Sequence, residues 1–270
     1  MCEFCTKHGE GKKWYEVMDN YSQEMLARNN RQKYIKEFIP NIQRTAGSNL
    51  AKLEWAKSKM PAAVYRFFRK IGTAEMKKRH FGQVVPLEDA ERIIDMVHSI
   101  TRIACVCRSV TTGKNDARYC LMLGIDPEGA INDYSDLRAS LETISTAEAK
   151  ELLRKFDQEG LVHSVWTFQT PFIGAICNCD HDCLAYRIQV SSDLLEIMFK
   201  GEYIAVTDAN ACTGCRNCQR LCQFGAVEYS LSNEKCYINP YKCYGCGICR
   251  SGCIKNAISL VDKQDLPVWR

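Results

Sequence analysis

Cys212-Thr-Gly-Cys215-Arg-Asn-Cys218-Gln-Arg-Leu-Cys222 returns 31 residues on as Cys243-Tyr-Gly-Cys246-Gly-Ile-Cys249-Arg-Ser-Gly-Cys253. Both stretches are C-x2-C-x2-C-x3-C, and Ala226-Val227 and Ala257-Ile258 sit at equal offsets behind them. An internal repeat of this kind predicts two copies of one short unit related by a pseudo-twofold axis. Tyr203–Thr207, rich in β-formers, precedes the first copy as a strand candidate. Cys236 lies in an apparent strand between the copies and reads as a structural residue.

Four cysteines at this spacing point to iron–sulfur chemistry. Zinc sites are usually built from two separated C-x2-C pairs, without a third cysteine at x2 and a fourth at x3. Three closely spaced thiolates can wrap one corner of a four-iron cube, while the fourth points away along a short helix toward a second cube. Gly214 and Gly245 stand where backbone must pass close to sulfide. Residues 202–263 resemble the bacterial two-[4Fe–4S] ferredoxins. The resemblance implies that Cys212, Cys215, Cys218 and Cys253 hold one [4Fe–4S] cluster and that Cys243, Cys246, Cys249 and Cys222 hold the other. That family usually carries proline after the fourth cysteine. Here Gln223 and Ile254 occupy those places, which leaves the ligands intact and alters the cluster surroundings.

The chain has 270 residues and 17 cysteines. Apolar residues make up 46% and charged residues 25%, the balance of a globular protein, which excludes a largely disordered chain. No apolar run approaches the ~18 residues of a membrane span. The first residues lack a basic n-region and an apolar h-region, so no secretory signal is expected. An odd cysteine count without such a signal argues for metal binding in a reducing cytoplasm rather than disulfides.

Six further cysteines fall in two arms. One is Cys105-Val-Cys107-Arg108 with Cys120 thirteen residues on; the other is Cys177-Asn-Cys179-Asp-His-Asp-Cys183. In extended backbone a C-x-C step sends both side chains to one face. Two such arms facing each other are expected to supply thiolates for a third centre, a further [4Fe–4S] cluster ahead of zinc. Buried cysteines acting as small hydrophobes are the alternative. His181 reads as a solvent-exposed loop residue, and Arg108 either as a partner for cluster sulfide or an anion, or as a surface ion pair. Residues 100–190 also look similar to little-characterised anaerobic iron–sulfur proteins with CxCR and CNC segments. The N-terminal Cys2-x2-Cys5-x2-His8 run is a weaker metal candidate. Gly9 to Tyr15 has too few glycines for a phosphate loop and reads as a turn into a helix with a packed tryptophan.

The expected fold is α+β, in three parts: a basic helical region over 1–100, a mixed domain with the cysteine arms over 101–200, and a ferredoxin-like two-cluster domain over 201–265. Helical stretches are expected over 16–26 and 50–57. A helix is expected from Pro61, with Val64, Phe67, Phe68 and Ile71 at i, i+3, i+4 and i+7 as its core face. Pro86 opens another, with Glu88 and Asp89 in its first turn and Ile93, Val97 and Ile100 inward. Residues 102–106 are expected to be extended. Ser145 and Glu148 form a capping box ahead of a helix that Gly160 ends. Residues 161–168 follow as a strand.

The function that follows is one-electron transfer through two clusters and a possible third. From Arg28 to Gly82 there are 14 basic residues and only Glu37, Glu54 and Glu75 opposing them. That face would dock an acidic redox partner within a larger anaerobic oxidoreductase assembly. An enzyme with a cluster or interface cofactor at the C-x-C arms, fed by the ferredoxin module, is the second reading, although no recognised catalytic motif is present. A redox-sensing regulator is third. Its candidate helix at 146–158 mixes Lys150, Arg154 and Lys155 with Glu148, Glu151 and Asp157, and Glu159 follows, so nucleic acid is not the expected partner.

Overall fold

A computed structural model describes residues 13–125 and 141–266. Cys2, Cys5 and His8 therefore lie outside the described residues. The chain opens with short helical turns and α1 (Gln23–Ala27), where the Ser22 hydroxyl accepts from the Met25 N–H at 3.1 Å. A left-handed step at Asn29 and Asn30 then redirects it into α2 (Arg31–Lys59). Asparagine tolerates that backbone better than most residues. α2 is far longer than the helical stretch expected over 50–57, and it runs on through Pro40. Its described buried residues, Arg31, Ile35, Pro40 and Ala46, are widely spaced, and Lys33, Lys36, Arg44, Lys52 and Lys59 stay exposed.

The second helix, α3 (Ala62–Arg79), starts after Pro61 as expected. Its buried face is not the expected one. Val64, Phe67, Phe68 and Ile71 are exposed, at 43%, 63%, 53% and 51%. The face that docks is the one carrying Tyr65, Arg69, Gly72 and Thr73. The Tyr65 hydroxyl donates to the Leu194 carbonyl (3.1 Å), and Arg69 pairs with Asp193 (2.8 Å). The Thr73 hydroxyl accepts from the Glu196 N–H, and a Cβ on Gly72 would stand 2.9 Å from Leu195. Apolar periodicity marks a face, but hydrogen bonds and a close backbone approach chose the other one.

A seven-stranded sheet follows, in the order β4-β2-β3-β6-β5-β1-β7. Its strands are β1 (Gly82–Val84), β2 (Ile100–Ile103), β3 (Cys120–Leu123), β4 (Glu142–Thr143), β5 (Val162–Thr167), β6 (Ile173–Cys179) and β7 (Met198–Phe199). All neighbours are antiparallel except β1 and β7. The sheet thus takes β1 from before residue 101, and β2 begins at Ile100. The fold is mixed α and β, with a helical N-terminal region and a multi-stranded sheet.

One face of the sheet is covered by α4 (Leu87–Met96) and α6 (Thr146–Gln158), which bury Ala90, Ile93, Ile94, Ala149 and Leu153 against Leu121, Leu123, Val165 and Ile176. The Ser145–Glu148 capping box is formed, and Gly160 ends the turn at φ 83°. Ile100 lies in β2, and Val97 ends α4 rather than continuing its buried stripe. Lys150 and Arg154 of α6 bind Asp95 and Glu91 of α4 (2.7 and 2.6 Å), so this helix is docked on its neighbour.

Strand period two sends the intervening residues to the opposite face. Met122, Ala175, Cys120 and Cys177 lie there, packed with Ile248, Leu221, Phe224, Tyr244 and Cys246 of the C-terminal unit. That unit consists of two hairpin-like pairs, β8 (Tyr203–Thr207) with β11 (Ile258–Asp262) and β9 (Val227–Ser230) with β10 (Lys235–Ile238). Each repeat adds one short helix, α7 (Asn217–Leu221) or α8 (Ile248–Ser251).

Where the N-terminal helices meet the sheet, His80 packs against Phe38 (ring centroids 4.3 Å) and Trp166 (4.9 Å), and its Nδ1–H donates to the Thr167 carbonyl (2.6 Å). Burial lowers His80 to about 4. The folded state therefore binds fewer protons than the unfolded one between about pH 4 and 6.5. Stability is full above the unfolded value and falls as pH drops through that window, by up to about 3 kcal/mol. Urea midpoints measured from pH 7 to 4 check this: His80→Gln should flatten that part of the profile.

Candidate metal centres

The two repeats build matching cysteine loops. Gly214 (φ 69°) and Gly245 (φ 72°) follow the first cysteine of each, and their N–H groups donate to Cys212 Sγ and Cys243 Sγ, both at 3.4 Å. The last cysteine of each repeat accepts similarly: Ala226 N–H reaches Cys222 Sγ at 3.2 Å, and Ala257 N–H reaches Cys253 Sγ at 3.3 Å. Hydrogen bonds of this kind tune a metal-bound sulfur. A Cβ on Gly245 would lie 2.3 Å from the Tyr203 carbonyl oxygen, and one on Gly214 2.1 Å from that of Glu234. Gly245→Ala combines this clash with a left-handed backbone. It should cost roughly 2 kcal/mol or more in a chemical-denaturation curve, whereas Gly225→Ala, with open space around it, should cost less.

Cys212, Cys215 and Cys218 of the first repeat line one hollow together with Cys253 of the second. The hollow is partly open to solvent, and Cys215 is its exposed member. Thr207 also lines it, and the buried Thr207 Oγ1 has no hydrogen-bond partner among the described residues. Cys236 lines the same hollow, buried at 3% exposure and hydrogen-bonded with Cys218. On the other side, Cys222 is an electrostatic neighbour of Cys243, Cys246 and Cys249. Burial, with these neighbours adding to it, raises Cys246 and Cys218 to about 12. A cationic core among the sulfurs would reverse that penalty, because it favours deprotonated thiolates.

Among the described residues no three His, Cys, Asp or Glu side chains converge closely enough to hold one metal ion. A zinc ion with bonds of about 2.3 Å gathers its thiolates tightly. Thiolates that each take a different corner of a larger group stand around a space instead. The first hollow, walled by four cysteines and an unpartnered hydroxyl, fits the second arrangement.

The middle arms also come together, in a different way from that expected. Cys177 and Cys179 lie in β6 with an extended backbone, as predicted. Cys105 and Cys107 do not form a matching extended arm. Cys105 caps the N-terminus of α5 (Val106–Thr112), and Cys107 is already helical. The second facing strand is β3 instead: Cys120 is the register partner of Cys177. Cys105 Sγ and Cys120 Sγ are 3.4 Å apart. Hydrogen bonds continue from Cys120 to Cys177, Cys179 and Cys183, and Cys107 stands beside Cys179. Hydrogen bonding from Cys120 and the Tyr119 N–H, together with nearby Arg108, lowers Cys105 to about 7. Hydrogen bonds from Cys177 and Cys183 lower Cys179 as well.

Arg108 is not a surface residue. It is 2% exposed, bridges Asp180 (3.0 Å) and the Asn178 carbonyl (3.2 Å), and places Nη1 3.6 Å from Cys105 Sγ. Its guanidinium also covers the Tyr119 ring, 4.3 Å from the centroid. Its charge is thus held against the sulfurs away from water. His181 is exposed, as expected.

The two cysteine systems touch through residues that motif reading passed over. Gln223, in the place where the resemblance led us to expect proline, donates through Nε2 to the Gly160 carbonyl (2.6 Å) and the Cys179 carbonyl (3.4 Å). The Tyr186 hydroxyl donates to the Gln223 carbonyl. Phe224 packs against the cluster of Cys179, Cys183 and Tyr186 and stacks on Tyr244 with centroids 3.9 Å apart. The departure from proline is the legible signal: it marks the point where one unit bonds to the other. Ile254, the second departure, is 77% exposed.

No protein-family model matches the chain. A stretch of 67 residues, 25% of the chain, is 33% identical to the archaeal-type glutamate synthases [NADPH] of Thermotoga maritima and of Thermotoga sp. strain RQ2. The match covers 13% of the length of each relative. Both are named for a nicotinamide reductant, so the likeness is compatible with a redox role here. No helix among the described residues is long and apolar enough to cross a membrane.

Proposed function

We propose that this chain transfers single electrons through two [4Fe–4S] clusters, one held by Cys212, Cys215, Cys218 and Cys253, the other by Cys243, Cys246, Cys249 and Cys222. The observation that carries the reading is the crossing of the repeats: Cys253 lines the hollow of the first repeat's cysteines. Such clusters supply reversible one-electron chemistry at thiolate-bound iron. This chain's residues set the conditions. Gly214 and Gly245 aim N–H groups at sulfur, burial of Cys243 and Cys249 excludes water, and exposed Cys215 brings the first site to the surface. A third centre would draw on Cys107, Cys177, Cys179 and Cys183, next to Cys222 through Gln223 and Phe224. A redox protein or larger oxidoreductase complex in the cytoplasm of an anaerobe is the partner this reading implies, with the exposed basic residues of α2 available to an acidic surface.

The test is a stepwise anaerobic reductive titration followed by EPR. Two interacting signals that appear and reoxidise without any added small molecule support the reading. A protein with no reducible signal overturns it.

A further inference from the structure

We propose that Cys105 and Cys120 are a redox-active dithiol, a two-electron centre that closes to a disulfide beside the one-electron centres proposed above. The dithiol itself does not depend on that reading, but its supply of electrons does. The two sulfurs are already 3.4 Å apart, and a disulfide needs about 2.05 Å. The pair sits where β2 and β3 part: Ile103 is the register partner of Cys120, and Cys105 follows two residues later. Cys105 is pinned there. Its N–H donates to the Ala117 carbonyl (2.7 Å), its sulfur accepts from the Tyr119 N–H (3.1 Å), and Arg108 Nη1 stands 3.6 Å away. These contacts hold the Cys105 sulfur facing Cys120, so only a short approach separates the pair from an S–S bond.

Cys107 neighbours both Cys105 and Cys179, so the six middle sulfurs form one group, within which Cys105 and Cys120 stand 3.4 Å apart. A four-thiolate centre at Cys107, Cys177, Cys179 and Cys183 leaves this pair over. Cys105 is buried and Cys120 is half-buried, so a small disulfide would meet Cys120 first. Cys120 attacks one sulfur of a small disulfide RSSR, forms the mixed disulfide Cys120–S–S–R and expels RSH. Cys105 then attacks Cys120 Sγ, forming the Cys105–Cys120 bond and expelling the second RSH. The dithiol has lost two electrons and two protons, and the small disulfide has gained both. Two single electrons from the reduced clusters, with two protons from water, restore the dithiol. Cys120 touches Cys177, and the Cys177–Cys179 strand end bonds to Gln223, so the pair has a contact path to the second cluster.

The full chain, purified anaerobically, is equilibrated with glutathione at stepped ratios of oxidised to reduced form, alkylated and digested for mass spectrometry. The expected result is one transition in which a Cys105–Cys120 linked peptide replaces the two alkylated ones, with iron per chain unchanged. Cys105→Ser and Cys120→Ser should each abolish the link and keep wild-type iron. Both cysteines alkylated at every ratio, a link between Cys120 and Cys177 instead, or iron lost in both serine variants would overturn the proposal. A chain without iron that still forms the link would sink the electron-transfer reading and leave the dithiol standing.

Discussion

Cys253→Ala should abolish the cluster of the first repeat, not that of its own. Its sulfur lines the hollow of Cys212, Cys215 and Cys218, while Cys243, Cys246 and Cys249 have Cys222 for a neighbour. The expected loss is about four iron atoms of about eight in the C-terminal unit. The EPR signal that disappears should be the one that Cys215→Ala removes. Cys222→Ala should match Cys246→Ala in the same way. If Cys253→Ala instead reproduces the Cys246→Ala spectrum, the crossing is wrong. Cys236 borders the same hollow and hydrogen-bonds Cys218, so Cys253→Ala with Cys236→Ala, which also removes a substitute thiol, should show the same loss.

The second large effect concerns the middle of the chain. Cys107→Ala combined with Cys179→Ala removes two of four thiols grouped beside Arg108. If they hold a third cluster, iron should fall by a further four atoms or so, while both C-terminal signals persist. The variant should also lose stability. Arg108 is buried with its charge directed at Asp180 and at sulfurs that include Cys179, whose pKa is lowered, so removing Cys179 leaves the buried cation less compensated. Iron analysis and denaturation of the same sample separate the two consequences. Unchanged iron with reduced stability would return the four cysteines to a structural role.

These outcomes bear on how far the residues speak for themselves. The repeat was legible because cysteine spacing and glycine turns are local: Gly214 and Gly245 each have the left-handed backbone that the loop requires. The capping box at Ser145 was legible for the same reason. Tyr203–Thr207 was read as a strand and is one, because a short run of β-formers before a turn signal has few alternatives. Tertiary choices were not legible. The Val64–Ile71 stripe has helical period, yet nothing local says which face meets the body, and Tyr65, Arg69 and Thr73 decided it through partners more than a hundred residues away. Cys105-Val-Cys107 looked like Cys177-Asn-Cys179. The first turns into α5, however, because Val106 to Thr112 continues as a helix that Gly113 ends at φ 73°. Cys120, expected as the further cysteine of the first arm, is the residue that faces the second arm, a consequence of β3–β6 register that spacing alone does not carry.

Iron, acid-labile sulfide and zinc per chain, measured on anaerobically purified protein, test the central claim most directly. Two four-iron clusters predict about eight iron atoms and as much sulfide, with zinc near zero, and a third centre at the middle cysteines raises iron to about twelve. One or two zinc ions per chain with no labile sulfide would contradict the account, since the repeated cysteines would then be structural zinc ligands and no electron could pass through them.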